Sequence, residues 1–219
     1  MEPPEITNPE VELHHPDIPE VIATTQDVRQ PNFFKRIQHL WQQFRKQGVA
    51  VTLIEASDQL TRMITGAPTR RFSQVTDDLF LGGQYDRRGL RRLRQRGIMA
   101  VVNMRGEYDE QKEGYAPEFY CYLPTVDNHA PTLANLRKGV SFIQGELDAG
   151  RKVYIHCWEG VGRAPTMLAA YLVSTGMKPG EAWAKIKATR PFIRPSVAQI
   201  QQVDLFAAEC REGEQLLSG

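Results

Sequence analysis

Between residues 79 and 210, short apolar runs alternate with longer stretches of helical periodicity, and that alternation restricts the chain to an α/β arrangement. Residues 79–81, 98–104, 119–123 and 153–156 read as buried strands. Residues 86–96, 132–149, 163–174, 179–189 and 196–210 read as helices, with Gly97, Gly150 and Gly176 at C-terminal stops. No fixed-period repeat suggests a solenoid. The expected architecture is a central sheet of about four or five strands flanked by helices.

Upstream the pattern differs. Residues 1–30 carry seven acids against Arg29 alone, with five prolines, and are expected to form an acidic, disordered tail. The rest of the chain then holds a net charge of +7 although the whole carries +1. From Asn32 to Lys46, Phe33, Phe34, Ile37, Leu40, Trp41 and Phe44 recur at helical spacing, and residues 51–64 continue as a second helix until Gly66-Ala67-Pro68 breaks it. These two helices make an N-terminal helical extension over 31–68, and their apolar faces are expected to pack on a main domain spanning 69–212. Peripheral membrane contact is the sharper alternative for them. With 41% hydrophobic residues the chain can bury a sizeable core, and no run of about 18 apolar residues provides a membrane-spanning helix. Three cysteines, Cys121, Cys157 and Cys210, without CxxC spacing exclude a zinc cluster or disulfide scaffold and suit a reducing compartment. No basic segment followed by an apolar stretch opens the sequence, so a cytoplasmic protein is expected.

The segment His156-Cys157-Trp158-Glu159-Gly160-Val161-Gly162-Arg163-Ala164-Pro165 joins a buried-type strand to an apolar helix. Gly160 and Gly162 let the backbone curl with its N–H groups inward, and Pro165 suits the first turn of the following helix. Inward N–H groups, a helix N-terminus and the Arg163 guanidinium together match the peripheral oxygens of a phosphoryl group. The same surroundings stabilise a thiolate, which makes Cys157 a candidate nucleophile. His156 is expected to order the loop by hydrogen bonding. No Walker-type phosphate loop occurs, so nucleotide hydrolysis of that kind is not supported. Displacing an alkoxide from phosphorus also needs a proton donor, and in an open α/β sheet the donor must lie beyond the carboxyl ends of the strands. Asp127 satisfies that condition, with Asp109 in reserve; Asp148 precedes its strand and faces the other end.

These features resemble the dual-specificity subgroup of the cysteine-based protein tyrosine phosphatases, over roughly residues 71–209. The likeness is carried by Val75-Thr76-Asp77-Asp78-Leu79-Phe80-Leu81-Gly82-Gly83, by HCxxGxxR from His156 to Arg163, by Asp127, and by Arg190-Pro191-Phe192-Ile193-Arg194-Pro195. It implies that Cys157 is the nucleophile, that Trp158, Glu159, Gly160, Val161, Gly162 and Arg163 bind phosphate, and that Asp127 is the general acid and later the base. The fold it implies is a central mixed sheet flanked by helices, and neither metal nor cofactor is implied. Gly160-Val161-Gly162-Arg163-Ala164-Pro165 is similar to the loop of the phosphatases of regenerating liver, and Ala164 stands where most of the family has a serine or threonine that helps the cysteine leave.

The implied substrate is a phosphorylated protein or another phosphoester, with lipid headgroups and RNA 5′-phosphates as alternatives; nucleic acid is the weaker reading. A phosphate-recognition module with little turnover and a rhodanese-like sulfurtransferase are the rival functions. The arginines between Arg87 and Arg96 read as the solvated face of a helix that buries Leu90 and Leu93.

Overall fold

In a computed structural model, residues 48–218 are described, with side chains to residue 213. The acidic tail and the helix expected over residues 32–46 lie outside the described residues.

Four strands, β1 (Leu79–Gly82), β2 (Ile98–Arg105), β3 (Phe119–Thr125) and β4 (Lys152–His156), form one sheet in the order β1-β4-β2-β3. Every strand pair is parallel, with Leu79 opposite Val153 and Val102 opposite both Ile155 and Cys121. The antiparallel component is the bridge between Gln74 and Phe80.

Alternation along the strands sorts two apolar clusters. Leu79, Leu81, Val102, Met104, Val153 and Ile155 face one way and pack with Leu136, Ile143, Met167, Leu168 and Val203. Phe80, Val101 and Tyr154 face the other way and pack with Tyr85, Leu90 and Leu93. Helix α2 (Arg87–Gln95) supplies those two leucines, while Arg91, Arg92 and Arg94 stay exposed, as the sequence pattern predicts. Its N-cap is Asp86, whose carboxylate accepts the N–H groups of Arg88 and Gly89 at 2.8 Å each. On the opposite face α3 (Leu133–Asp148), α5 (Pro179–Thr189) and α6 (Val197–Ser218) surround α4 (Arg163–Ser174). From Arg163 to Val173 every residue of α4 is buried, so this helix is held as a rigid post behind β4. The last helix runs beyond the expected limit of residue 210, to Ser218.

Helix α1 (Val49–Thr65) overturns one expectation. Its polar face, not its apolar face, packs on the domain: Thr52, Glu55 and Asp58 are buried, whereas Val49, Leu53, Leu60, Met63 and Ile64 are exposed. The physical reason is that Glu55 and Asp58 meet arginines of the domain, at 2.8 Å from Arg194 Nη1 and 3.0 Å from Arg190 Nη2. Buried carboxylates without such partners would carry a desolvation penalty of several kcal/mol each, roughly.

Candidate active site

Three neighbouring parallel strands end at one rim of the sheet, and the loop after each brings one candidate side chain there. Cys157 follows β4, Glu107 follows β2 and Asp127 follows β3. This is the carboxyl-end crevice where parallel α/β sheets bind ligands.

The loop from Trp158 to Gly162 turns its carbonyl oxygens outward, where each finds a donor. Trp158 O accepts Gln84 N–H at 3.0 Å and Arg62 Nη1. Glu159 O and Gly160 O accept Arg190 Nη2 and Nε at 2.6 and 2.8 Å. Val161 O accepts Arg194 N–H at 2.8 Å, and Gly162 O accepts both the N–H and the hydroxyl of Thr166, at 3.0 and 2.9 Å. Gly160 is required here because its φ is +72° and a Cβ would sit 2.2 Å from the carbonyl carbon of Gly82. Cys157 is 3% exposed, and its sulfur accepts Gly160 N–H at 3.3 Å.

Arg163 opens α4 and its guanidinium is buried at the edge of this ring. Nη1 donates to Glu107 Oε2 at 2.7 Å and to Thr125 O at 2.9 Å; Nη2 reaches Glu107 Oε1 at 3.1 Å and Asp127 Oδ1 at 2.9 Å. Among the described residues, Nε is the one donor of this buried fork with no acceptor. Burial alone would push the Glu107 carboxyl up, but the hydrogen bonds and charge of Arg163 hold it below the usual carboxylate range. Arg105 also bonds Glu107 at 3.2 Å and lies between the rings of Tyr108 and Trp158, at 4.5 and 4.8 Å from their centroids.

His156 is wholly buried, with Nδ1 3.4 Å from Cys157 O and Nε2 3.5 Å from Glu110 Oε1. Burial, reinforced by the Arg105 charge, pushes it down to about 3, so it is neutral and cannot serve as a proton shuttle near neutrality. Glu110, pushed up by burial, also bonds Tyr120 OH at 2.7 Å.

Asp127 sits in a turn closed by His129 N–H on Val126 O at 3.1 Å, with Asn128 in the left-handed region at φ 61°. Gln199 Nε2 and Ser196 Oγ of the α6 entry tie this turn down through His129 O and Asn128 O, at 3.0 and 3.4 Å. The Asp127 side chain is 68% exposed, so it can leave Arg163 without breaking packed structure. Asp109 instead bonds Tyr120 OH at 3.0 Å. Among the described residues no cluster of His, Cys, Asp and Glu could hold a metal ion.

Residues 83–177 match the family model described as "Polymorphic toxin system, DSP-PTPase phosphatase". The mouse (Mus musculus) "Dual specificity protein phosphatase 1" is 29% identical over 138 residues, which are 62% of this chain and 37% of that protein. The rat (Rattus norvegicus) "Phosphatidylglycerophosphatase and protein-tyrosine phosphatase 1" is 33% identical over 156 residues, covering 62% of this chain and 77% of that protein. This chain belongs to the dual-specificity phosphatases of the cysteine-based protein tyrosine phosphatase superfamily. The crystal structure of PTPMT1 superposes on this dual-specificity phosphatase with a TM-score of 0.58 and 28% identity, over 65% of this chain and 98% of that one. The crystal structure of DUSP15, at 23% identity and a TM-score of 0.58, shares its fold.

The sequence reading missed Glu107, although it follows a strand just as Asp109 and Asp127 do, and the rule used to find them applies to it equally. It also missed the structural use of Arg62, Arg190 and Arg194, whose partners lie far away along the chain.

Proposed function

We propose that this dual-specificity phosphatase hydrolyses phosphomonoesters through a phosphocysteine formed on Cys157. The observation that supports it best is the ring after β4: four consecutive carbonyls turned outward, a buried sulfur inside, and an arginine fork with a spare buried Nε–H at its edge. In the first step the thiolate sulfur attacks phosphorus, the P–O bond to the alcohol breaks, and Asp127 gives its proton to the departing oxygen. Arg163 and the inward N–H groups take up the charge on the peripheral oxygens. In the second step water attacks the phosphocysteine, Asp127 accepts its proton, and the S–P bond breaks to return the thiolate.

In the present arrangement Asp127 occupies Arg163 Nη2, so an arriving phosphoryl oxygen displaces it from the guanidinium and frees it for proton transfer. Asp127→Asn is therefore expected to lower kcat/KM by about 10²- to 10⁴-fold. Inorganic phosphate should bind the variant at least as tightly as wild type, because a competing carboxylate is gone. A kcat/KM within twofold of wild type would assign the proton transfer to another group.

Ala164, buried at the start of α4, has no hydroxyl to assist the sulfur as it leaves, which makes the second step the slow one. Glu159 is held by Arg194 Nη2 at 3.0 Å and turned off the ring, so it does not repel a bound phosphoryl group. Phosphorylated serine, threonine or tyrosine in protein is the favoured substrate class. A lipid phosphomonoester is the second reading, favoured by the likeness to the rat protein whose name joins phosphatidylglycerophosphatase to protein-tyrosine phosphatase. Phosphate release from phosphopeptides, phosphatidylglycerophosphate, phosphoinositides and 5′-triphosphorylated RNA, with Cys157→Ser as control, decides between them; release from none would overturn the hydrolase reading. Cys121 and Cys157 are free thiols, and a reducing compartment such as the cytoplasm keeps them so.

A further inference from the structure

Helix α1 lies outside the segment that matches the family model, yet three of its side chains end on the cradle or on the arginines that hold it. We propose that α1 belongs to the phosphatase machinery, with Asp58 and Glu55 acting as positioning residues. Through Arg190 and Arg194 they fix the peptide planes of residues 158–162 and so aim the loop N–H groups at the bound phosphoryl group. The proposal rests on the reading of this loop as a phosphate cradle.

A trans peptide is planar, so the C=O of one residue and the N–H of the next point in opposite directions. Holding the carbonyls of Trp158, Glu159, Gly160 and Val161 outward therefore turns the N–H groups of Glu159, Gly160, Val161 and Gly162 inward. Three of those four carbonyls are held by arginine side chains, one by Arg62 of α1 and two by Arg190. The fourth is held by the backbone of Arg194.

Arg190 is 1% exposed, and a guanidinium so buried needs a counter-charge to stay in place. Asp58 is that counter-charge: Oδ2 lies 3.0 Å from Arg190 Nη2, while Oδ1 accepts Thr69 N–H at 3.1 Å. Phe72 O takes Nη1 at 3.1 Å, while Nε and the second N–H of Nη2 are directed at Gly160 O and Glu159 O. Glu55 has the same role, a turn earlier on the helix. Its Oε1 is 2.8 Å from Arg194 Nη1, and Arg194 Nη2 in turn binds the Glu159 carboxylate. A helix docked only for stability would bury its apolar stripe; α1 leaves Leu53, Leu60, Met63 and Ile64 exposed and buries its carboxylates against the two arginines that hold the loop.

Asp58→Asn preserves size and an oxygen for Thr69 N–H while removing the charge that faces Arg190. The expected result is a fall in kcat/KM for p-nitrophenyl phosphate of about 10- to 100-fold, with a matching rise in the inhibition constant of orthovanadate. Glu55→Gln should move both in the same direction by about three- to tenfold. Circular dichroism at the assay temperature separates this from unfolding, because lost stability alone does not weaken orthovanadate binding to the folded fraction. Folded variants with both constants within twofold of wild type would overturn the proposal. So would collapse of Asp58→Asn accompanied by wild-type constants in Glu55→Gln, which would make α1 a stability element only. Wild-type protein that neither hydrolyses the ester nor binds orthovanadate would remove the cradle reading, and the proposal with it.

Discussion

Cys157→Ser is expected to lose phosphatase activity by on the order of 10⁴- to 10⁶-fold while keeping its fold and its anion site. The sulfur is enclosed, and its one hydrogen bond within the loop comes from Gly160 N–H, which a hydroxyl oxygen accepts equally well. Serine therefore preserves the loop, but its hydroxyl oxygen is a far weaker nucleophile toward phosphorus than sulfur. The loss should lie in kcat, with orthovanadate or inorganic phosphate still binding and the melting temperature little changed. Residual activity above about one hundredth of wild type would mean that another group attacks phosphorus, since an enzyme stripped of its nucleophile retains far less than that.

Arg163→Lys should also be severely damaging, although the charge is conserved. The guanidinium satisfies both oxygens of Glu107, the Thr125 carbonyl and Asp127 at once, and still holds Nε–H in reserve. A lysine ammonium is a point donor that cannot reach Glu107 bidentately and span two phosphoryl oxygens together. Losing two charge-assisted hydrogen bonds at about 1.5 to 3 kcal/mol each corresponds to roughly 10²- to 10⁴-fold in kcat/KM. Because the fork also contacts the anion before reaction, phosphate affinity should weaken alongside, which separates this variant from Cys157→Ser. Unchanged phosphate affinity in Arg163→Lys would mean that the peptide N–H groups alone hold the anion.

The strands and α4 were legible because their signals are local. Leu79, Leu81, Val153 and Ile155 alternate with Phe80 and Tyr154, and the two sets face two different clusters. The loop from His156 to Arg163 was legible because its glycines, cysteine and arginine sit within eight residues between a strand and a helix. Arg190 and Asp58 were not, because the pairing that gives each its meaning spans 132 residues, and a lone buried-type charge has no periodic signature. Helix α1 misled for the same reason. Its spacing shows an apolar stripe, which ordinarily faces the core, and only the distant arginines explain why the carboxylate face is the buried one. Glu107 belongs to a different case, since its position after β2 placed it at the correct rim and its partner Arg163 was already in view.

In the proposed mechanism every phosphoryl group passes through the sulfur of Cys157. Rapid-quench mass spectrometry of wild-type protein mixed with a phosphorylated substrate tests this directly. The expected result is phosphate on the peptide containing Cys157, formed within the first turnover and, because Ala164 provides no hydroxyl for the second step, accumulating before steady state; Ala164→Ser should shorten its lifetime about tenfold, the worth of one hydroxyl hydrogen bond. Product release at the full rate with Cys157 unmodified, or phosphate found on a different residue, would contradict the mechanism.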